Sequence, residues 1–285
     1  MNNYLRLPDL KRVLNNETAN TAEHSRLLAG IEGISRAIDD HCGLQFYNQT
    51  ATRYPPPPRR YCDANEWGRE LILPWPVVSL SAVQVDDNDD DTFELTLAAS
   101  TDYFLEPEGA NARGEPYWSL RLNPNGTQVT RWPRDRRRVL LTGVFGWPLK
   151  ELSTGLTGTV ADTTGTTLTA SATAASLVYP GDTILVGTEQ MDVTAVSTTS
   201  ITVERGINGT TAAEHSGVAI YVLTYPAAIQ QAARAWATRM SWDEASGWTG
   251  SVNMVEMGIG APQRSSSPWA QVSGLLAPYR NLRVA

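Results

Sequence analysis

The chain is poor in the residues that metal and redox chemistry need. Of 285 residues two are cysteines, Cys42 and Cys62, and three are histidines, His24, His41 and His215. Two thiols do not make a disulfide scaffold, and two free cysteines in a reducing compartment is the reading they favour. No apolar run approaches the 18 residues of a membrane-spanning helix. The first fourteen residues carry Arg6, Asp9, Lys11 and Arg12 and no apolar stretch, unlike a secretory signal. Phosphate-cradling glycine loops, a nucleophile elbow, a His-Glu-x-x-His helix and a Cys-x-x-Cys pair are all missing. Lysine is nearly missing too, since Lys11 and Lys150 are the only two among 23 basic residues. The net charge is −7, which argues against general binding to DNA or to an anionic membrane. No catalytic residue, metal set or cofactor is expected.

What is there is ample material for a core, with 41% hydrophobic residues. Leu7, Leu10, Val13 and Leu14 recur at helical spacing behind Pro8. A second helix is predicted from Thr21 to Cys42, with Asn20 and Glu23 as a capping box. Its apolar face is Leu27, Ile31, Ile34 and Ile38, and Gly43 stops it. Strand chemistry follows. Pro55 to Pro58 reads as extended polyproline. Strands are predicted over Leu71–Leu73, Val77–Val85, Phe93–Leu97, Tyr117–Leu122 and Arg138–Val144, with an acidic turn at Asp86–Asp91.

The composition changes abruptly near Lys150. Ser and Thr supply 23 of the 72 residues from Glu151 to Val222, with seven acids against one base, Arg205. Short β-like runs at Thr166–Thr169, Thr183–Val186, Met191–Val196, Ser200–Val203 and Val218–Val222 describe a small all-β module. A helix then starts behind Thr224 and Pro226, with Ile229, Ala233, Trp236 and Met240 on one face. Residues 250–285, rich in Gly, Ser and Pro, read as an extended tail. The fold class is therefore α+β: N-terminal helices, antiparallel β segments and a C-terminal helix, interrupted by a small all-β domain. The divisions are 1–149 with 224–249 as a core, 150–223 as the β domain and 250–285 as the tail.

Two charged clusters are candidate interaction sites. Asp86, Asp87, Asp89, Asp90 and Asp91 lack the register of a calcium loop and read as a solvated turn or an acidic knob. Arg131, Arg134, Arg136, Arg137 and Arg138 form the basic cluster, a strand end or a protein interface. The acidic run would complement it on a neighbouring copy. His41, Cys42 and Cys62 could meet as a zinc set, but Cys42 reads better as a core residue of its helix.

An ordered series of short phrases carries a family resemblance. It begins Leu5-Arg6-Leu7-Pro8-Asp9-Leu10-Lys11, then Ile38-Asp39-Asp40-His41-Cys42-Gly43-Leu44-Gln45-Phe46, then Thr52-Arg53-Tyr54. Leu71-Ile72-Leu73-Pro74-Trp75-Pro76-Val77 and Tyr103-Phe104-Leu105-Glu106-Pro107 follow. Next come Val139-Leu140-Leu141-Thr142-Gly143-Val144-Phe145-Gly146-Trp147 and, about 75 residues later than in the family, Pro226-Ala227-Ala228-Ile229. This series resembles the head–tail adaptor (connector) proteins of tailed bacteriophages. Residues 150–223 account for the delay and read as an insert, whose phrase Glu204-Arg205-Gly206-Ile207-Asn208-Gly209-Thr210-Thr211 loosely resembles β segments of other phage structural proteins. The resemblance implies a structural, non-enzymatic virion protein at the head–tail neck. It would form a ring of about twelve copies under the portal protein. DNA would pass through the lumen without specific binding, and a tail-side stopper protein would dock below. Trp269, Leu275, Leu276 and Tyr279 would anchor the tail segment on the portal. The alternative is a virion decoration protein that uses the Thr-rich module for surface or glycan contact.

Overall fold

The computed structural model describes residues 2–15, 21–57, 68–245 and 268–280. It is a mixed α and antiparallel β structure that contains a closed six-stranded barrel. Compactness divides it into two units, 1–43 with 150–281, and 44–149 with 282–285.

The first unit opens with α1 (Leu7–Val13) and α2 (Thr21–Cys42). Leu7 and Leu10 of α1 are buried, and so are Leu27, Ile31, Ile34 and Ile38 of α2. The 4-3-4 spacing of the latter set lines one helical face, as the sequence predicts. Asn20 lies outside the described residues. The barrel follows, built from β7 (Lys150–Val160), β8 (Thr167–Ala170), β9 (Thr183–Val186), β10 (Glu189–Val196), β11 (Ser200–Glu204) and β12 (His215–Thr224). Its circular order is β10-β11-β8-β7-β12-β9, every strand antiparallel to its neighbours. Strand alternation turns Leu156, Leu168, Ile184, Val186, Met191, Val203 and Val222 inward to one core. Each such side chain contributes about 1.5–3 kcal/mol on burial. Closure gives every strand two neighbours. β7 was not among the predicted strands. Its first four residues are exposed, and Gly155 at φ +71° breaks its alternation.

α3 (Ala227–Ala245) leaves the barrel directly. Pro226, rather than Thr224, starts it, since its carbonyl accepts the amides of Ile229 and Gln230. The buried face is Ile229, Ala232, Ala233 and Ala237, with Met240 at 38% exposure, so the predicted stripe is rotated toward Ala237. The described part of the C-terminal segment corrects the extended reading of 250–285. Residues Pro268–Leu276 form a helix, α4, packed on α3. Val272 and Leu276, one turn apart, are both buried, which supplies the apolar stripe that makes so short a helix stable. Residues 246–267 lie outside the description.

The second unit is a sheet of β1 (Gln49–Arg53), β2 (Glu70–Val85), β3 (Leu95–Leu97), β4 (Tyr103–Glu106), β5 (Tyr117–Leu122) and β6 (Val139–Phe145). The order is β1-β6-β2-β5-β4, with β3 also on β2. Pro74 and Pro76 were expected to end a strand. Instead β2 runs through both, because its ladder with β5 shifts register between Ile72 and Val77 and leaves them opposite a bulge. Leu71, Leu73, Val83, Leu120, Leu141, Phe145 and Trp132 fill its core.

The sequence grouped both N-terminal helices with this sheet. Compactness groups them with the barrel: α1 and α2 pack on α3, which continues from the barrel, and residues 2–6 add a polar seam, described next.

Candidate functional site

The acidic and basic clusters meet within one chain. The turn after β2 is organised by Asp86, itself buried, whose carboxylate accepts the amides of Asp89 (2.7 Å) and Asp91 (3.2 Å). Arg138 at the start of β6 lies 3.5 Å from Asp86, 3.6 Å from Asp89 and 3.9 Å from Asp135. Its Nε donates to the Asp86 carbonyl, and the Asp86 amide donates to the Arg138 carbonyl. Asp86 and Arg138 are thus paired within their own chain. Asp87, Asp89, Asp90, Asp91, Arg131, Arg134, Arg136 and Arg137 remain at the surface. Arg137 stacks its guanidinium 4.9 Å from the Tyr54 ring, which in turn lies 6.2 Å from Phe93. Trp132, in the middle of the basic run, is a core residue whose indole donates to the Arg69 carbonyl.

Asp86, Asp90 and Glu94 each bring a carboxylate oxygen within 4.8 Å of the others. Glu94 was not singled out from the sequence. Both Asp86 oxygens already accept hydrogen bonds, so the cluster is first of all the scaffold of a tight turn. Cys42 is buried, and burial pushes its thiol up to about 12, which disfavours the thiolate that zinc requires. Cys62 lies outside the described residues. Of the anchors expected on a partner, Leu276 is buried against its own chain, Leu275 and Tyr279 are half-buried, and the Trp269 side chain is not described.

Two polar networks were not foreseen. The first is inside the barrel wall. Glu189, fully buried, accepts Nε and Nη2 of Arg205 at 2.7 and 2.8 Å. It also accepts the amides of Gly206 and Ala213 at 2.9 and 3.1 Å and pairs with His215 Nε2 at 2.9 Å. Burial works to raise this carboxyl, and the bonds from Arg205, Ala213, His215 and Gly206 overcome it and hold the group down at about 2. Arg205 also donates to the carbonyls of Asp162, Gly165 and Ala213. The Arg-Gly-Ile-Asn-Gly phrase is therefore a staple. Arg205 crosses to Glu189, while Gly206 and Asn208 take left-handed φ of +62° and +56° to turn the chain. The visible signal was that Arg205 is the one base in the module.

The second network joins residues 2–6 to the barrel and to α2. Arg6 holds Asp182 bidentately, Nε to Oδ1 at 2.9 Å and Nη2 to Oδ2 at 2.7 Å, and stacks over Tyr179. Asn2 and Asn208 exchange amide bonds of 2.8 and 2.9 Å, and Asn208 continues to Gln190. On the helix side the Tyr4 amide donates to Ser35 at 3.0 Å, and its hydroxyl donates to Asp39. Burial raises Asp39 to about 6, against the hydrogen bond from Tyr4 and the charge of Arg36. Three of the module's seven acids, Asp182, Glu189 and Asp192, are buried, so much of its negative charge serves internal joints rather than its surface.

The two outermost residues of the barrel sit side by side. Thr224 pairs with Lys150 across the β12–β7 ladder, and its hydroxyl donates to the Lys150 carbonyl at 3.1 Å. No family model, no curated protein and no solved structure matches this chain.

Proposed function

We propose that this chain is a structural virion protein of the head–tail adaptor type, with the barrel inserted into an adaptor chain between residues 149 and 225. The observation that carries the reading is the pairing of Lys150 with Thr224. Residues paired across an antiparallel ladder lie about 5 Å apart, so removing the barrel leaves a gap that one or two residues span. Its removal brings Pro148 next to Tyr225 and restores the order of the adaptor-like phrases. On this reading the chain forms a ring beneath the portal vertex, extends the DNA channel and presents a surface to the next tail-side protein. Its chemistry is contact and positioning, not catalysis.

The acidic balance suits a conduit, since a net negative chain gains little from counterion release on meeting DNA. Exposed Arg134, Arg136 and Arg137 and exposed Asp87, Asp89 and Asp90 offer both charges for contacts between copies. The test is genetic. Particles made without this chain should accumulate as filled heads and separate tails, and supplying the chain should join them. Complete particles assembled in its absence would overturn the reading.

A further inference from the structure

The second unit holds a half-buried arginine that no carboxylate answers. Arg53 ends β1, the outermost strand of the order β1-β6-β2-β5-β4, and among the described residues only β6 pairs with that strand. Gln49, Ala51 and Arg53 alternate onto the face where Ala51 packs on the core. Ala51 is small, and the Arg53 side chain turns back across it toward Gln49. Its Nη2 donates to Gln49 Oε1 at 2.7 Å, and its guanidinium lies 4.5 Å from the Phe145 ring and 5.2 Å from the Trp75 ring. No described carboxylate pairs with it. Burial pulls the group below the ordinary arginine value, against only the charge of Tyr47. Burial acts on Arg6 and Arg205 too, but Asp182 and Glu189 hold those two above that value.

A guanidinium so placed has donors to spare, and a carboxylate accepts two of them side by side. Arginine set against aromatic rings is also the composition that dominates contact energy at interfaces. The chain carries the matching group in its acidic turn. Asp87 is exposed there, and no described residue bonds its carboxylate. Within one chain the two groups point apart. Across β6, Arg53 is level with Val83 and Gln49 with Val77, while the turn follows Val85, so the guanidinium folds away from it.

We propose that Arg53 of one copy receives the Asp87 carboxylate of a second copy. Gln49, Phe145 and Trp75 fix the fork, and the outer side of β1 gives the turn access. A contact between two different surfaces of the same chain is heterologous. It propagates head to tail and closes only as a ring. The proposal rests on the ring reading above and supplies a residue-level contact for it.

The test is the association state of the full chain, by sedimentation and native mass spectrometry at rising concentration. Wild type should associate reversibly beyond the dimer, less so at high salt. Arg53→Met keeps a stem over Ala51 and removes the fork, and it should weaken association by about tenfold or more. Asp87→Asn, at an exposed position, should do the same and leave the fold unchanged. The two together should weaken it no more than either alone, because each removes the same pair. Arg53→Lys keeps the charge without the fork and should fall between, and it carries the test should Arg53→Met fail to fold. Unchanged circular dichroism and melting temperature check that each variant is folded. Losses that add in the double variant overturn the pairing, and so does association indifferent to Arg53 or to Asp87. Association that stops at a symmetric dimer, or a wild-type chain monomeric at about 1 mM, also overturns the contact. Each of these leaves the ring reading standing. Particles complete without the chain overturn the ring reading itself.

Discussion

At the scale of single residues, the buried carboxylates set how stability depends on pH, and they act with opposite signs. Glu189 is held at about 2, below its unfolded value near 4.5, by Arg205, His215 and two amides. Its contribution is present in full above about pH 4.5 and is lost as pH falls toward 2. Asp39 is raised to about 6 by burial, so the folded state holds its proton more tightly than the unfolded chain does. Its contribution is greatest below about pH 4 and is lost as pH rises toward 6. Glu189→Gln strands Arg205 in the barrel wall and should cost about 3–5 kcal/mol in urea unfolding at neutral pH. It should also remove part of the acid sensitivity. Asp39→Asn should flatten the stability profile between about pH 4 and 6. A profile unchanged by that substitution would mean Asp39 is solvated in the folded chain.

At the scale of elements, the phrase Val139–Trp147 holds two close backbone approaches. A Cβ on Gly143 of β6 would overlap the Ser79 carbonyl oxygen, and one on Gly146, at φ +134°, would overlap that of Tyr47. Phe145 lies between them in the core, and Trp147 donates its indole to the Gly114 carbonyl. Gly143→Ala should therefore push β6 away from β2 and destabilise the chain by about 2–4 kcal/mol, measured by thermal unfolding. An equal substitution at Gly155, whose Cβ would meet nothing, tests only its φ of +71° and should cost less.

The same scale shows what a sequence reader could see. Helix α2 was legible because four aliphatics repeat at 4-3-4, and β5 and β9 because their runs are bounded by turn residues. Two features were hidden by composition. β2 contains prolines that a bulge tolerates, and α4 has too few residues to show periodicity. Of the candidate contacts, the acidic and basic clusters were visible as charge runs, but their meeting through Asp86 and Arg138 depends on β2 pairing with β6. The Glu189 staple joins residues 16 and 26 positions apart, and the Arg6–Asp182 clamp spans 176. Such pairs have no local signature.

At the scale of the whole molecule, the barrel is closed, stapled from within and tied to α2 through residues 2–6. Its first and last residues are paired, so the chain enters and leaves it at one point. The most direct measurement is electron microscopy of particles that carry this chain, averaged at a single capsid vertex. The adaptor reading predicts a ring of this chain between portal and tail, coaxial with the DNA channel. Density for the chain on the capsid exterior or at the tail tip would contradict it and move the function to the Thr-rich barrel.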